Sequence, residues 1–138
     1  MKYVVPVICL LAFSVVHADE SRTVNMQTTI KDEKGKPAKD FAYVTKEDPT
    51  CANCSLLTVG VVIARALNAT FPDERDLSGE QKWARSVLAD RLKDNKAATL
   101  TVKEADLIEK LVGKAFGGET IKQVVPLIDP NKKTPEIQ

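Results

Sequence analysis

Hydrophobic and polar positions alternate from Thr23 to Ile30. Val24, Met26, Thr28 and Ile30 fall on one side, and Asn25, Gln27 and Thr29 on the other. A period of two predicts a half-buried strand. The stretch Asp32-Glu33-Lys34-Gly35-Lys36-Pro37 follows. Gly admits a positive φ there, and Pro lacks the N–H that a ladder needs. Alternation resumes at Phe41, Tyr43 and Thr45, so an N-terminal β-hairpin is expected. Two strands alone are marginal in water, so their apolar face must pack on something else.

Beyond residue 55 the pattern changes period. Leu56 to Leu67 is almost continuously apolar, which suits a helix at the centre of a small bundle. β-branched residues are frequent in it, but twelve positions exceed the usual strand of about eight residues. Phe71-Pro72-Asp73 breaks the run. Ser78-Gly79-Glu80-Gln81 then fits a capping box, and Thr101-Val102-Lys103-Glu104 fits a second. The first opens a helix whose apolar stripe reads Trp83, Ala84, Val87, Leu88 and Leu92, with Trp83 as a core anchor in preference to an exposed contact. The second opens a helix carrying Ala105, Ile108, Leu111, Val112, Ala115 and Phe116 at i, i+3, i+4 and i+7 spacing, stopped by Gly117-Gly118. A last helix places Ile121, Val124, Val125 and Ile128 on one face before Asp129-Pro130. No segment repeats at a fixed spacing, which removes a solenoid. The expectation is one α+β domain over residues 19–130, its β-hairpin packed on a small bundle of about four helices, and a loose tail over 131–138.

The first eighteen residues change the composition that matters. Lys2 supplies a positive start, Val4 to Val16 is apolar, and Val16-His17-Ala18 fits a cleavage site. The run is too short for a spanning helix of about 20 residues. Residues 1–18 therefore read as a signal peptide cut between Ala18 and Asp19, for a periplasmic or secreted protein with no membrane attachment afterwards; an uncleaved membrane anchor is the alternative. The full chain has 138 residues, 20 Lys and Arg, 19 Asp and Glu, one His and three Cys. Cleavage removes Lys2, Cys9 and His17, leaving a neutral, histidine-free chain with one cysteine pair. A neutral balance lacks the field that gathers nucleic acid. Without histidine, Ser–His–Asp and Cys–His nucleophiles are excluded.

Cys51-Ala52-Asn53-Cys54 is the motif with chemical potential. An oxidising compartment predicts a disulfide. Because the pair precedes a helix, its amides would lower a thiol pKa, as in thiol–disulfide oxidoreductases. Those enzymes set the motif after a central strand in a βαβ context, which this pattern lacks. A local structural staple is the favoured reading, with a redox pair and a metal site as alternatives. A metal site falls short of the four ligands a structural zinc needs, and covalent haem would need His where Ser55 stands. No cofactor is expected.

Asp73, Glu74 and Asp76 cluster before one helix, and Glu104, Asp106 and Glu109 lie on another. Carboxylates are rarely buried, so both groups read as solvated surface, and neither has calcium-loop spacing. Gly113, Gly117 and Gly118 follow no strand, so no phosphate loop is indicated. The sequons at Asn53 and Asn68 are treated as chance matches.

Leu57-Thr58-Val59-Gly60, Leu77-Ser78-Gly79-Glu80, the stretch from Thr101 to Val112-Gly113-Lys114, and Pro126-Leu127-Ile128-Asp129 together resemble small proteins of tailed phages and prophages. The resemblance covers roughly residues 24–130. It implies a short strand pair, with a Gly-Lys-Pro turn like Gly35-Lys36-Pro37, ahead of the helices. The family offers no catalytic residues to transfer. This chain departs from it in its leader and in the Cys51/Cys54 pair. The functional expectation is a non-enzymatic exported domain that binds another protein. The alternatives are a thiol–disulfide protein and an inhibitor that plugs a periplasmic enzyme with the Phe71–Leu77 loop.

Overall fold

Three hydroxyl side chains open three of the four helices seen among the described residues. The computed structural model describes residues 20–137. The expected leader and its junction at Ala18–Asp19 lie outside them. Helix α1 spans Val59–Asn68, α2 Gly79–Lys93, α3 Val102–Ala115 and α4 Gly118–Ile128. Thr58 Oγ1 accepts the Val61 amide, while Ser78 with Gln81 and Thr101 with Glu104 form complete capping boxes. Each box satisfies amides that a helix start leaves without partners.

The class is α+β, with a two-stranded antiparallel sheet on the four helices. Strand β1 (Arg22–Asn25) pairs with β2 (Ala97–Leu100), Val24 opposite Ala98 and Arg22 opposite Leu100. The partner therefore comes from the α2–α3 connection, not from the Phe41–Thr45 segment across the Gly35 turn. That segment is diverted locally. Asp40 Oδ1 accepts the Ala42 amide and folds Phe41–Tyr43 into a single 3-10 turn, a side-chain bond that competes with a ladder. The turn itself forms. Gly35 has φ +75°, the Asp32 amide donates to Lys36 O, and Lys31 bridges Pro37.

The extended segment after β1 passes along the start of α1. The Val59 amide donates to Thr28 O and the Gly60 amide to Met26 O, both at 2.9 Å. With Thr58 Oγ1 on Val61, the first three amides of α1 are all partnered. Gly60 sits where there is no room for a side chain. A Cβ there would lie 3.0 Å from Lys93 O, 3.1 Å from Leu92 O and 3.2 Å from the Met26 Cβ.

The core gathers on α1, through Val59, Val62, Ile63, Ala66 and Leu67. Ile108, Leu111 and Val112 of α3 meet it from one side, and Val124 and Ile128 of α4 close it together with Val24, Met26 and Leu100. The end of α4 is tied back to β1, with Arg22 pairing to Asp129 at 2.7 Å and donating to Ile128 O. Gln123 exchanges two bonds with the Lys31 backbone, standing in for a strand neighbour. Residues 131–137 carry no helix or strand.

Two glycines should respond in opposite directions to alanine. Gly60→Ala drives a methyl into fixed carbonyls and is expected to cost about 1–3 kcal/mol. Gly113→Ala, inside α3 with open space around its Cβ, should stabilise by about 0.5–1 kcal/mol. Urea unfolding of the two variants checks both signs; a stabilised Gly60→Ala would contradict the close approach.

Candidate functional site

Cys51 and Cys54 are joined by a disulfide, with Cα atoms 4.9 Å apart. The loop around them is built by Asp48. Its carboxylate accepts the amides of Ala52 and Asn53 at 2.8 Å each, and its own amide donates to Thr45 Oγ1 at 3.1 Å. The Asn53 and Ala52 amides hold the Asp48 carboxyl below the usual carboxylate range. Cys51 takes φ +57°, a left-handed conformation that a branch-free Cβ adopts only under constraint. Lys39 Nζ gathers the carbonyls of Cys51 and Ala52, both at 2.8 Å.

The loop is anchored from beneath by Asp40, which is 2% exposed. The Asp40 amide donates to Ser55 O at 2.8 Å, and its carbonyl lies 3.6 Å from the buried Cys51 sulfur. Its carboxylate receives the Arg65 guanidinium from α1 through both oxygens. Arg65 and Asp40 also line an open cleft of about 370 Å³ between α1 and α2, with Leu56, Asp90 and Lys93.

This geometry does not favour a thiolate. The amides at the start of α1, expected to assist one, are taken by Thr28, Met26 and Thr58. Those of Ala52 and Asn53 are taken by Asp48. A carbonyl oxygen faces the Cys51 sulfur instead. What the arrangement does well is fix a loop. Cys54 is the more accessible of the two, on an open surface with Thr45, Asp48 and Asn53.

The carboxylate cluster before α2 is held by cations. Glu74 makes two bonds to Arg85, at 2.8 and 3.0 Å, which pull its carboxyl below the ordinary range and push the Arg85 pKa up. Asp73 pairs with Lys114 at 2.5 Å, which lowers its carboxyl too. The Lys114 ammonium also sits 5.3 Å above the Phe71 ring, and Phe71 is turned into the core. The Phe71–Leu77 loop is thereby clasped to α2 and α3. On α3, burial acts to raise the Glu104 carboxyl, but the Thr101 amide and Arg91 outweigh it and leave it lowered. Glu109 pairs with Lys132. Asn68 accepts from Ser86 Oγ at 2.7 Å, linking α1 to α2. Among the described residues, no group of three or more His, Cys, Asp and Glu is placed to hold a metal ion, and no helix is long and apolar enough to cross a membrane.

Trp83 corrects the sequence reading of α2. It is 70% exposed, and Val87, one turn on, is 53% exposed. The face that packs is Arg85, Leu88, Ala89 and Leu92. An arginine occupies a core-facing position because Glu74 neutralises it and its stem covers apolar surface. Hydrophobicity alone points to the Trp83–Val87 side and passes over Arg85. Leu88, Ala89 and Leu92 at i, i+1 and i+4 were the available signal.

No protein-family model, no curated protein and no solved structure matches this chain.

If the cystine is a staple, its thiols should be ordinary once reduced. Both are expected to titrate at or above about 8.5, the value of a free cysteine. Thiol absorbance or alkylation rate against pH measures this. A thiol titrating near 7 would contradict it.

Proposed function

We propose that this protein is an exported, non-enzymatic domain that acts by binding another protein, with the solvent-facing side of α2 as its contact surface. One observation carries the reading. The only tryptophan of the chain stands in solvent beside Val87, on a helix whose start is fixed by a capping box and whose opposite side is held by the Arg85–Glu74 pair. Tryptophan is among the residues most enriched at the energetic centres of interfaces. The leader pattern and the oxidised cysteine pair support export to an oxidising compartment. The resemblance to small phage and prophage proteins supports an origin there, with the cysteine staple as an adaptation to life outside the cytoplasm. The Phe71–Leu77 loop suits a plugging role less well than α2 does, since its apolar side chain is spent on the core.

A photo-crosslinking residue placed at Val87 tests the reading in the organism that makes the protein. The expected result is a processed chain beginning at Asp19 and one discrete adduct in the envelope fraction. The same residue at Lys103, exposed on α3, should give none. Trp83→Ala should abolish the adduct while changing stability by less than about 0.5 kcal/mol. An adduct that survives Trp83→Ala would overturn the assignment of this surface.

A further inference from the structure

The exposed side of α2 carries a charge pattern as well as an anchor. Glu80, Trp83, Val87, Asp90 and Asp94 follow one another at spacings of three and four, and all five are exposed. At 3.6 residues per turn they fall within about 80° of arc. Glu80 stands beyond one end of the apolar pair, and Asp90 and Asp94 beyond the other. The cations of α2 border this strip rather than lie within it, with Arg91 one turn beyond Val87. Arg85 is committed to Glu74 and Arg91 to Glu104. Lys82 and Lys93 lie toward the α1 side, Lys93 in the cleft whose edge Asp90 shares. The result is an apolar pair bracketed by carboxylates on a helix, with its first-turn Glu80 reinforced by the helix start.

That pattern selects among occupants. A second copy of the chain would meet this surface by a two-fold pairing, in which each patch faces itself. With acid at both ends of the apolar pair, such a pairing lays carboxylates against carboxylates. An anionic lipid surface is repelled in the same way. We infer that the strip binds a cationic amphipathic segment of another protein, whose apolar side chains cover Trp83 and Val87 while its Lys or Arg residues meet Glu80, Asp90 and Asp94. This inference rests on the α2 surface being the contact, and it adds the chemistry of what is bound. Packing of one amphipathic helix face on another, anchored at i, i+3, i+4 and i+7, is the matching mode.

Because Trp83 is the sole tryptophan, its fluorescence reports the strip directly. Three synthetic helical peptides of equal length serve as probes: Leu/Lys, Leu/Glu and Leu/Gln. The expected result is a saturable blue shift of Trp83 with Leu/Lys only. Binding should weaken by about tenfold or more as salt rises from about 0.02 to 0.3 M, where the Debye length shrinks several-fold. The combined variant Glu80→Gln, Asp90→Asn, Asp94→Asn should weaken it by at least about fivefold, with an unchanged circular dichroism spectrum showing that α2 is intact. Equal shifts with all three peptides would overturn the cationic assignment while leaving the α2 surface as the contact. No shift with Leu/Lys would overturn it as well; the Val87 crosslink then decides separately whether the surface binds anything.

Discussion

The first turn of α1 runs so close to the end of α2 that only glycine fits between them, and most of the molecule is arranged around that approach. Gly60 faces the carbonyls of Leu92 and Lys93 and the Met26 Cβ. The same turn hands its free amides to Thr28 and Met26, which holds the extended segment after β1 against the helix. Lys96 O then accepts the Met26 amide at 2.9 Å, leading directly into β2. One helix start thus fixes the sheet, the end of α2 and the N-terminal segment together. A buried backbone amide left without a partner costs about 1–3 kcal/mol, so separating any of these pieces exposes the others.

From that anchor the rotation of α2 follows. With Leu92 and Ala89 held against α1, and Arg85 clasped by Glu74, the helix has one orientation left. Trp83 and Val87 face solvent as a consequence of packing on the far side. The same logic holds at the cystine loop. Asp40 reaches Arg65 on α1 while its backbone supports Cys51 and Ser55, so the disulfide tightens a loop already tied to the core helix. A bridge across three residues removes little unfolded-state entropy. Its contribution is to hold the Cys51 turn in place.

Local signals were the legible ones. The capping boxes at Ser78 and Thr101, the Gly35 turn, the apolar run of α1 and the disulfide between Cys51 and Cys54 all depend on residues within a few positions of each other. What escaped the sequence depends on distance along the chain. The partner of β1 lies beyond α2, and Ala97-Ala98-Thr99-Leu100 looks unremarkable until Val24 is placed opposite Ala98. Asp40 with Arg65, Lys39 with Cys51 and Glu74 with Arg85 are polar pairs between elements, and periodicity carries no information about them. Hydrophobicity alone puts Trp83 on the buried face of α2, whereas the Arg85–Glu74 ion pair turns that face the other way.

The central claim is that the Gly60 approach and the Arg85 clasp turn Trp83 outward and keep it there. Acrylamide quenching of its fluorescence measures that most directly, since no other tryptophan contributes. The free, folded protein is expected to show a red-shifted emission and acrylamide quenching approaching that of its urea-unfolded chain, since Trp83 is 70% exposed. A blue-shifted emission protected from acrylamide, lost only on unfolding, would place Trp83 in the core and contradict it.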